Sequence, residues 1–225
     1  IKEKESDACV VSQIPETQCQ SHDIGGEKMK RMFLVSMFQT VSNLLKTIEP
    51  DLKNKTVTYI PTASKVEKLG FFVKISKWKL KRLGLAVDEL EVSEASYEMI
   101  VSKLEKNDII YVTGGNTFYL LQELRRTGAD KILIREIEKG KLYIGESVGA
   151  IIAAPDIGYS AKMDRAEKAP DLREYSGLNL IDFYVVPHYK NWEMGKAAKE
   201  IIHTYSNSLD LKIIRDTQAI LVEDK

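Results

Sequence analysis

The chain reads as an α/β fold of three layers: a mostly parallel sheet with helices on both faces. Three observations predict it. Short apolar runs rich in β-branched and aromatic residues alternate with stretches whose apolar positions recur at helical spacing, the pattern of right-handed crossovers. Two of those runs end in glycine turns that open directly into helices, Thr113-Gly114-Gly115-Asn116 and Gly145-Glu146-Ser147-Val148-Gly149. The 225 residues, 44% of them apolar, suffice to bury one substantial core.

Taken in order, the first convincing strand is Met32-Phe33-Leu34-Val35-Ser36, followed by a helix over 40–48. Val57-Thr58-Tyr59-Ile60 is a strand that Pro61 ends, because proline cannot donate to a ladder. The basic stretch Lys74 to Arg82 lies in a helix over 71–83, with apolar positions at helical spacing and a solvated charged face. A strand around 86–90 and a helix over 97–104 come next. Ile109-Ile110-Tyr111-Val112 is a buried strand leading to the first glycine turn, helices lie on either side of Gly128, and Leu142-Tyr143-Ile144 leads to a small-residue helix over 150–154. Residues 156–177 are polar and irregular, suited to a loop at the mouth of a site. A strand at 183–186, a helix over 193–205 and strands at 211–214 and 219–222 complete the chain. No repeat, low-complexity segment or interior linker is visible, so 29–225 reads as a single domain. Residues 1–28 are polar and without sustained periodicity; the expectation there is an extension, a flexible arm or a remnant of cloning.

Charge and cysteine content narrow the function classes. Lysine plus arginine equals aspartate plus glutamate at 33 each, so no global charge favours nucleic acid or an anionic membrane as partner. No apolar run approaches the roughly 20 residues of a membrane span, and residues 1–28 lack the apolar centre of a secretory signal, which points to the cytoplasm. Both cysteines, Cys9 and Cys19, precede residue 29. The main domain therefore holds no disulfide framework or cysteine-rich metal site, and neither a cofactor nor a metal is expected.

Gly145-Glu146-Ser147-Val148-Gly149-Ala150 has the layout of a nucleophile elbow. A serine between an apolar strand and a small-residue helix sits on the rim of the sheet, and its flanking glycines avoid collisions that a Cβ would cause. The helix that follows aims free N–H groups at the serine. The competing reading is an ordinary glycine-flanked turn. A serine nucleophile needs a base, and the chain offers only His22, His188 and His203. His22 lies in the polar N-terminal stretch, and His203 ends a helix where it suits the dipole. His188 follows Phe183-Tyr184-Val185-Val186-Pro187, at the strand end where open α/β sheets place ligands. Asp216, between two apolar runs, is the best-placed acid to orient it; a structural Asp-Thr-Gln turn is the alternative. The order Ser147, His188, Asp216 disfavours an ordinary α/β-hydrolase, in which the acid precedes the histidine, unless Asp156 or Asp164 supplies it. The first glycine turn lacks G-x-G-x-x-G and a Lys-Ser/Thr ending, which argues against a phosphate loop and leaves its N–H groups available to an oxyanion.

These motifs resemble the peptidase E and cyanophycinase group of serine peptidases, built on the sheet of class I glutamine amidotransferases. The resemblance is carried, in family order, by Tyr111 to Thr117, Tyr143 to Ala150, Pro187-His188-Tyr189 and Asp216 to Ile220, and it extends from about Met29 to the C-terminus. It implies that Ser147 is the nucleophile, His188 the base and Asp216 the acid, with Gly115 and Val148 lending oxyanion N–H groups. Gly114, Asn116, Thr117 and Glu146, beside those groups, are then expected to bind substrate.

Three departures qualify the likeness. Val148 stands where the family usually has alanine, so the elbow must accommodate a β-branched side chain. Asp216 is one methylene shorter than the glutamate often found there. Aspartate-specific members carry an arginine in the helix after the histidine, whereas Asn191 to Glu200 contains only Lys196 and Lys199. Lysine cannot form the bidentate fork, so aspartyl specificity does not transfer; Arg165 and Arg173, from the irregular segment, are the alternative cations. The expectation is a serine peptidase acting on short peptides such as dipeptides through an acyl-enzyme, with a homodimer left open. The alternatives are a non-catalytic ligand-binding or regulatory homologue, or an esterase or amidase on the same fold.

Overall fold

A computed structural model of the protein describes residues 9–13, 29–67 and 70–223. In chain order its elements are β1 (Cys9–Gln13), β2 (Arg31–Val35), α1 (Phe38–Val41), α2 (Leu45–Ile48), β3 (Thr56–Ile60), α3 (Gly70–Arg82), β4 (Ala86–Glu89), α4 (Tyr97–Lys106), β5 (Ile109–Val112), α5 (Thr117–Thr127), α6 (Ala129–Glu138), β6 (Leu142–Glu146), α7 (Val148–Ile151), β7 (Tyr184–Val186), α8 (Gly195–Tyr205), β8 (Leu211–Ile213) and β9 (Gln218–Glu223). A 3-10 turn over Ser42–Leu44 joins α1 to α2, so the helix expected over 40–48 is one interrupted helical stretch.

The main sheet has the order β1-β9-β2-β6-β5-β3-β4. Strands β2, β6, β5, β3 and β4 run parallel; β9 is antiparallel to β2, and β1 is parallel to β9. Alternate residues of each central strand enter opposite layers, which is why these strands are apolar almost throughout. Met32, Leu34, Ile110, Val112 and Tyr143 belong to one core with α4, α5, α6, α7 and α8. Phe33, Val35, Tyr59, Tyr111 and Ile144 belong to the other with α1, α2 and α3.

Local signals set the helix ends near the site. The Asn116 side chain caps α5 by accepting from the Tyr119 N–H at 3.0 Å. Gly128, at φ 75°, ends α5 in the left-handed conformation that a residue with a Cβ adopts at a cost. Ser96 caps α4 through the Met99 N–H.

The structure departs from the sequence reading in two places. Residues 9–13, expected in a flexible arm, form a strand paired with β9; the rest of that segment, with Cys19 and His22, lies outside the described residues. The run before His188 does not join the main sheet. Tyr184–Val186 instead pairs in parallel with Leu211–Ile213 as a separate two-stranded sheet. With three residues each, β7 and β8 are too short to extend a layer, and β7 is held beside α7 and α8. His188 thus approaches the rim from a satellite sheet.

The glycines of the β6–α7 turn are steric requirements. A Cβ on Gly145 would lie 2.6 Å from the Gly149 carbonyl oxygen, and one on Gly149 would lie 2.6 Å from that of Val112. Gly145→Ala is expected to cost about 1–3 kcal/mol, the range of core overpacking, measured as a lower urea midpoint with unchanged slope.

Candidate active site

The sheet register brings the site together. Val35 of β2 pairs with Glu146 of β6, and Val112 of β5 pairs with Gly145, so Ser36, Ser147 and Gly114 leave adjacent strand ends together. Because β9 runs antiparallel to β2, with Val35 opposite Ala219, the start of β9 lies where β2 ends. Asp216, just before β9, is thereby delivered to the same rim.

Ser147 stands immediately before α7 with φ 50° and ψ −102°, a strained conformation for a residue with a Cβ, and its side chain makes no capping bond to the helix. Its N–H is held by the Val35 carbonyl at 2.8 Å. Its Oγ lies 2.9 Å from His188 Nε2, and His188 Nδ1 lies 2.8 Å from Asp216 Oδ1. The shorter aspartate therefore reaches the ring directly. His188 itself has φ 61°, and its carbonyl accepts the Asn191 N–H at 3.0 Å, closing a tight turn. His203 is exposed on the last turn of α8 and takes no part.

Two contacts to Asp216 were not read from the sequence. Ser36 Oγ donates to Oδ1 at 2.7 Å, and Asn191 Nδ2 donates to Oδ2 at 2.6 Å. A single serine after a strand carries no signal of its own; only the reversal of β9 makes it a neighbour. Burial pushes the Asp216 carboxyl up, but hydrogen bonds from His188, Asn191 and Ser36 outweigh it and hold the pKa at about 2.

The other nearby carboxyls behave oppositely. Glu146 accepts from the Phe38 N–H at 2.9 Å and from the Tyr111 hydroxyl at 2.7 Å, and burial pushes its pKa up against those bonds. Asp164 accepts from the Thr117 N–H at 3.0 Å and from the Thr117 hydroxyl; burial raises it too. Neither Asp164 nor Asp156, which accepts from the Gly158 N–H, makes a hydrogen bond to the His188 ring.

Of the residues expected to bind substrate, Gly114 and Glu146 line the cleft beside Ser147. Asn116 and Thr117, also expected there, are not among the residues that line it. Both are fully buried: Asn116 caps α5 and donates to the Arg165 carbonyl, while Thr117 holds Asp164, so they fix the irregular segment behind the cleft. Glu146 reaches the cleft with both carboxyl oxygens already bonded. Gly115 also lines the cleft, at φ 152°, and a Cβ there would fall 2.1 Å from the Ala63 backbone. Val148 is 2% exposed, so the packed core absorbs its branched side chain. Among the described residues, the Gly115 and Val148 N–H groups donate to no protein acceptor.

The cleft's charge is one-sided. Glu146, Asp164 and Glu193 line it together with His188, and among the described residues no lysine or arginine does. Lys196, Lys199, Arg165 and Arg173 are all exposed outside it. Among the described residues, no group of histidine, cysteine and carboxylate side chains could hold a metal, and no helix is long and apolar enough to cross a membrane.

Opposed pKa directions give a testable pH dependence. Asp216, lowered from 3.8 to about 2, stabilises the fold above its unfolded value and loses that contribution as pH falls toward 2. Glu146, raised above 4.5, favours the fold at low pH and costs stability as pH rises through its folded value. Melting temperature against pH should therefore flatten on the acid side in Asp216→Asn. In Glu146→Gln it should flatten above pH 4.5.

Comparison with known proteins agrees with this architecture. Residues 32–225 match the model of peptidase family S51. The uncharacterised peptidase Lin0382 of Listeria innocua is 51% identical over 197 residues, covering 88% of this chain and 94% of that protein. A peptidase E of Nostoc is 28% identical over 169 residues, covering 72% of this chain and 66% of that one. A 1.5 Å crystal structure of a Listeria monocytogenes protein provisionally called a peptidase E superposes with TM-score 0.84 at 48% identity, covering 88% of this chain and 96% of that chain. A family model spanning nearly the whole described fold, relatives named as peptidases and a closely superposing structure lead to one assignment: the chain belongs to peptidase family S51.

Proposed function

We propose that the protein is a serine peptidase that cleaves short peptides through an acyl-enzyme, with Ser147, His188 and Asp216 as its triad. The observation that carries this reading is the unbroken hydrogen-bond chain from Ser147 Oγ through both ring nitrogens of His188 to Asp216. A binding-only homologue has no need of a serine held in a strained elbow against an imidazole.

In the first step His188 Nε2 takes the Ser147 hydroxyl proton as Oγ bonds to the scissile carbonyl carbon. The carbonyl oxygen becomes an oxyanion, for which the Gly115 and Val148 N–H groups are the unengaged donors. Its collapse breaks the C–N bond, and the leaving amine takes the proton from His188, leaving an ester on Ser147. Water then repeats the sequence: it gives a proton to His188 and attacks the ester, and the proton returns to Ser147 as the acid departs. Asp216, ionised at any physiological pH, keeps Nδ1 protonated and offsets the imidazolium charge.

The cleft favours uncharged or cationic residues over aspartate at the scissile bond. A substrate carboxylate would meet Glu146, Asp164 and Glu193 with no lysine or arginine among the described lining residues.

Ser147→Ala should abolish covalent labelling by a serine-directed phosphonate, and His188→Ala should lower kcat about a thousandfold or more. Labelling that persists in Ser147→Ala removes Ser147 from the mechanism. Specificity constants for Asp-Leu, Ala-Leu, Ser-Leu and Lys-Leu are expected to show no preference for Asp-Leu. An Asp-Leu advantage above about a hundredfold, about 2.7 kcal/mol, would contradict the charge argument.

A further inference from the structure

Ser36 sits at the centre of the triad's rear face without touching the reacting atoms. Its Oγ donates to Asp216 Oδ1 at 2.7 Å, accepts the His188 backbone N–H at 2.8 Å and lies 3.1 Å from His188 Nδ1. A hydroxyl offers one proton and two lone pairs, and these three contacts use all of them. The residue is 1% exposed, so water cannot replace a lost contact easily. Asn191 also donates to Asp216, but on the other oxygen, and its side chain makes no hydrogen bond to the ring.

We propose that Ser36 is a positioning residue that locks the catalytic imidazole, fixing the backbone and the ring orientation of His188 through one hydroxyl and reinforcing the tautomer that Asp216 sets. The logic is geometric. His188 follows a three-residue strand of a satellite sheet and carries a positive φ, so its own element constrains it weakly. Ser36 follows β2, in the middle of the main sheet, and transfers that rigidity to the histidine. With the Ser36 proton committed to Asp216, Oγ faces Nδ1 as an acceptor. The Nδ1 proton, which Asp216 Oδ1 accepts at 2.8 Å, is then shared with Ser36 Oγ at 3.1 Å, and Nε2 is left as the acceptor opposite Ser147 Oγ.

This inference rests on the serine-peptidase reading for its kinetic consequence, but its test includes a readout that does not. In the wild-type protein a low-field proton resonance from His188 Nδ1–H is expected, identified by its disappearance in His188→Ala. Ser36→Ala should shift or broaden that resonance and lower kcat about tenfold to a hundredfold with KM within about threefold, the pattern of misplaced chemistry rather than lost binding. Ser36→Thr, which keeps the hydroxyl, should restore the resonance and most of kcat. Asn191→Ala, which leaves the Nδ1 side intact, should move the resonance less than Ser36→Ala. The proposal is overturned if Ser36→Ala leaves both the resonance and kcat as in the wild type, or if Ser36→Thr folds and fails to restore the resonance. Failure of the peptidase reading looks different: the wild-type protein would resist phosphonate labelling while the resonance still responded to Ser36.

Discussion

The site depends on how closely the β6–α7 turn approaches its neighbours. Backbone meets backbone there at distances that exclude a Cβ on Gly145 or Gly149, and a Cβ on Gly114 would come 3.3 Å from that of Ser147. Such proximity forces Ser147 into a conformation that residues with a side chain rarely adopt. The surrounding structure over-determines that strain. The Ser147 N–H is tied to β2 through Val35, and the buried Tyr143 hydroxyl holds the Gly149 carbonyl at 2.7 Å. A serine presented this way has few rotamers left, so its hydroxyl meets the imidazole without a further ordering cost.

Around this turn, carboxyl groups divide by hydrogen-bonding environment rather than by distance from the serine. Asp216 accepts from His188, Asn191 and Ser36, and enough donors converge on it to keep it ionised despite burial. Glu146 and Asp164 have fewer donors for the burial they suffer, and both are pushed up. Glu146 nonetheless has a structural role. Its two bonds join the strand carrying the elbow to the first residue of α1 and to Tyr111, which stacks on Tyr59 and meets Phe38 edge-on. The loop that carries Ser36 is thereby fastened to the residue beside Ser147.

What the sequence reveals follows the range of the interactions involved. The strand–glycine–helix turns at 113–117 and 142–150 are local, and their residue types are dictated by sterics within a few positions, so both could be read directly. Ser147, His188 and Asp216 were found because each follows or separates apolar runs and histidines are few. Ser36 and Asn191 gave no such sign, since their roles arise from an antiparallel pairing between segments about 180 residues apart in the chain and from a turn with positive φ. Asn116 and Thr117 are the opposite case. A polar cap at a helix N-terminus looks the same in sequence whether it faces a ligand or a loop, and here it faces the loop at 164–165.

The reversed strand explains why the acid comes last in the chain. In a wholly parallel sheet, every segment entering the C-terminal rim must follow a strand, so an acid beside β2 would have to sit at the end of a strand parallel to it. Strand β9 runs the other way, so the residues before it occupy that rim, and Asp216 arrives from the β8–β9 connection. That arrangement sets Asp216 behind the imidazole, on the Ser36 side, and leaves the opposite ring nitrogen to Ser147. It also shortens the reach required of the acid. With Oδ1 already 2.8 Å from Nδ1 and Oδ2 taken by Asn191, a glutamate at 216 would have to displace one of these contacts or shift the turn. The aspartate is thus the length that this geometry accepts.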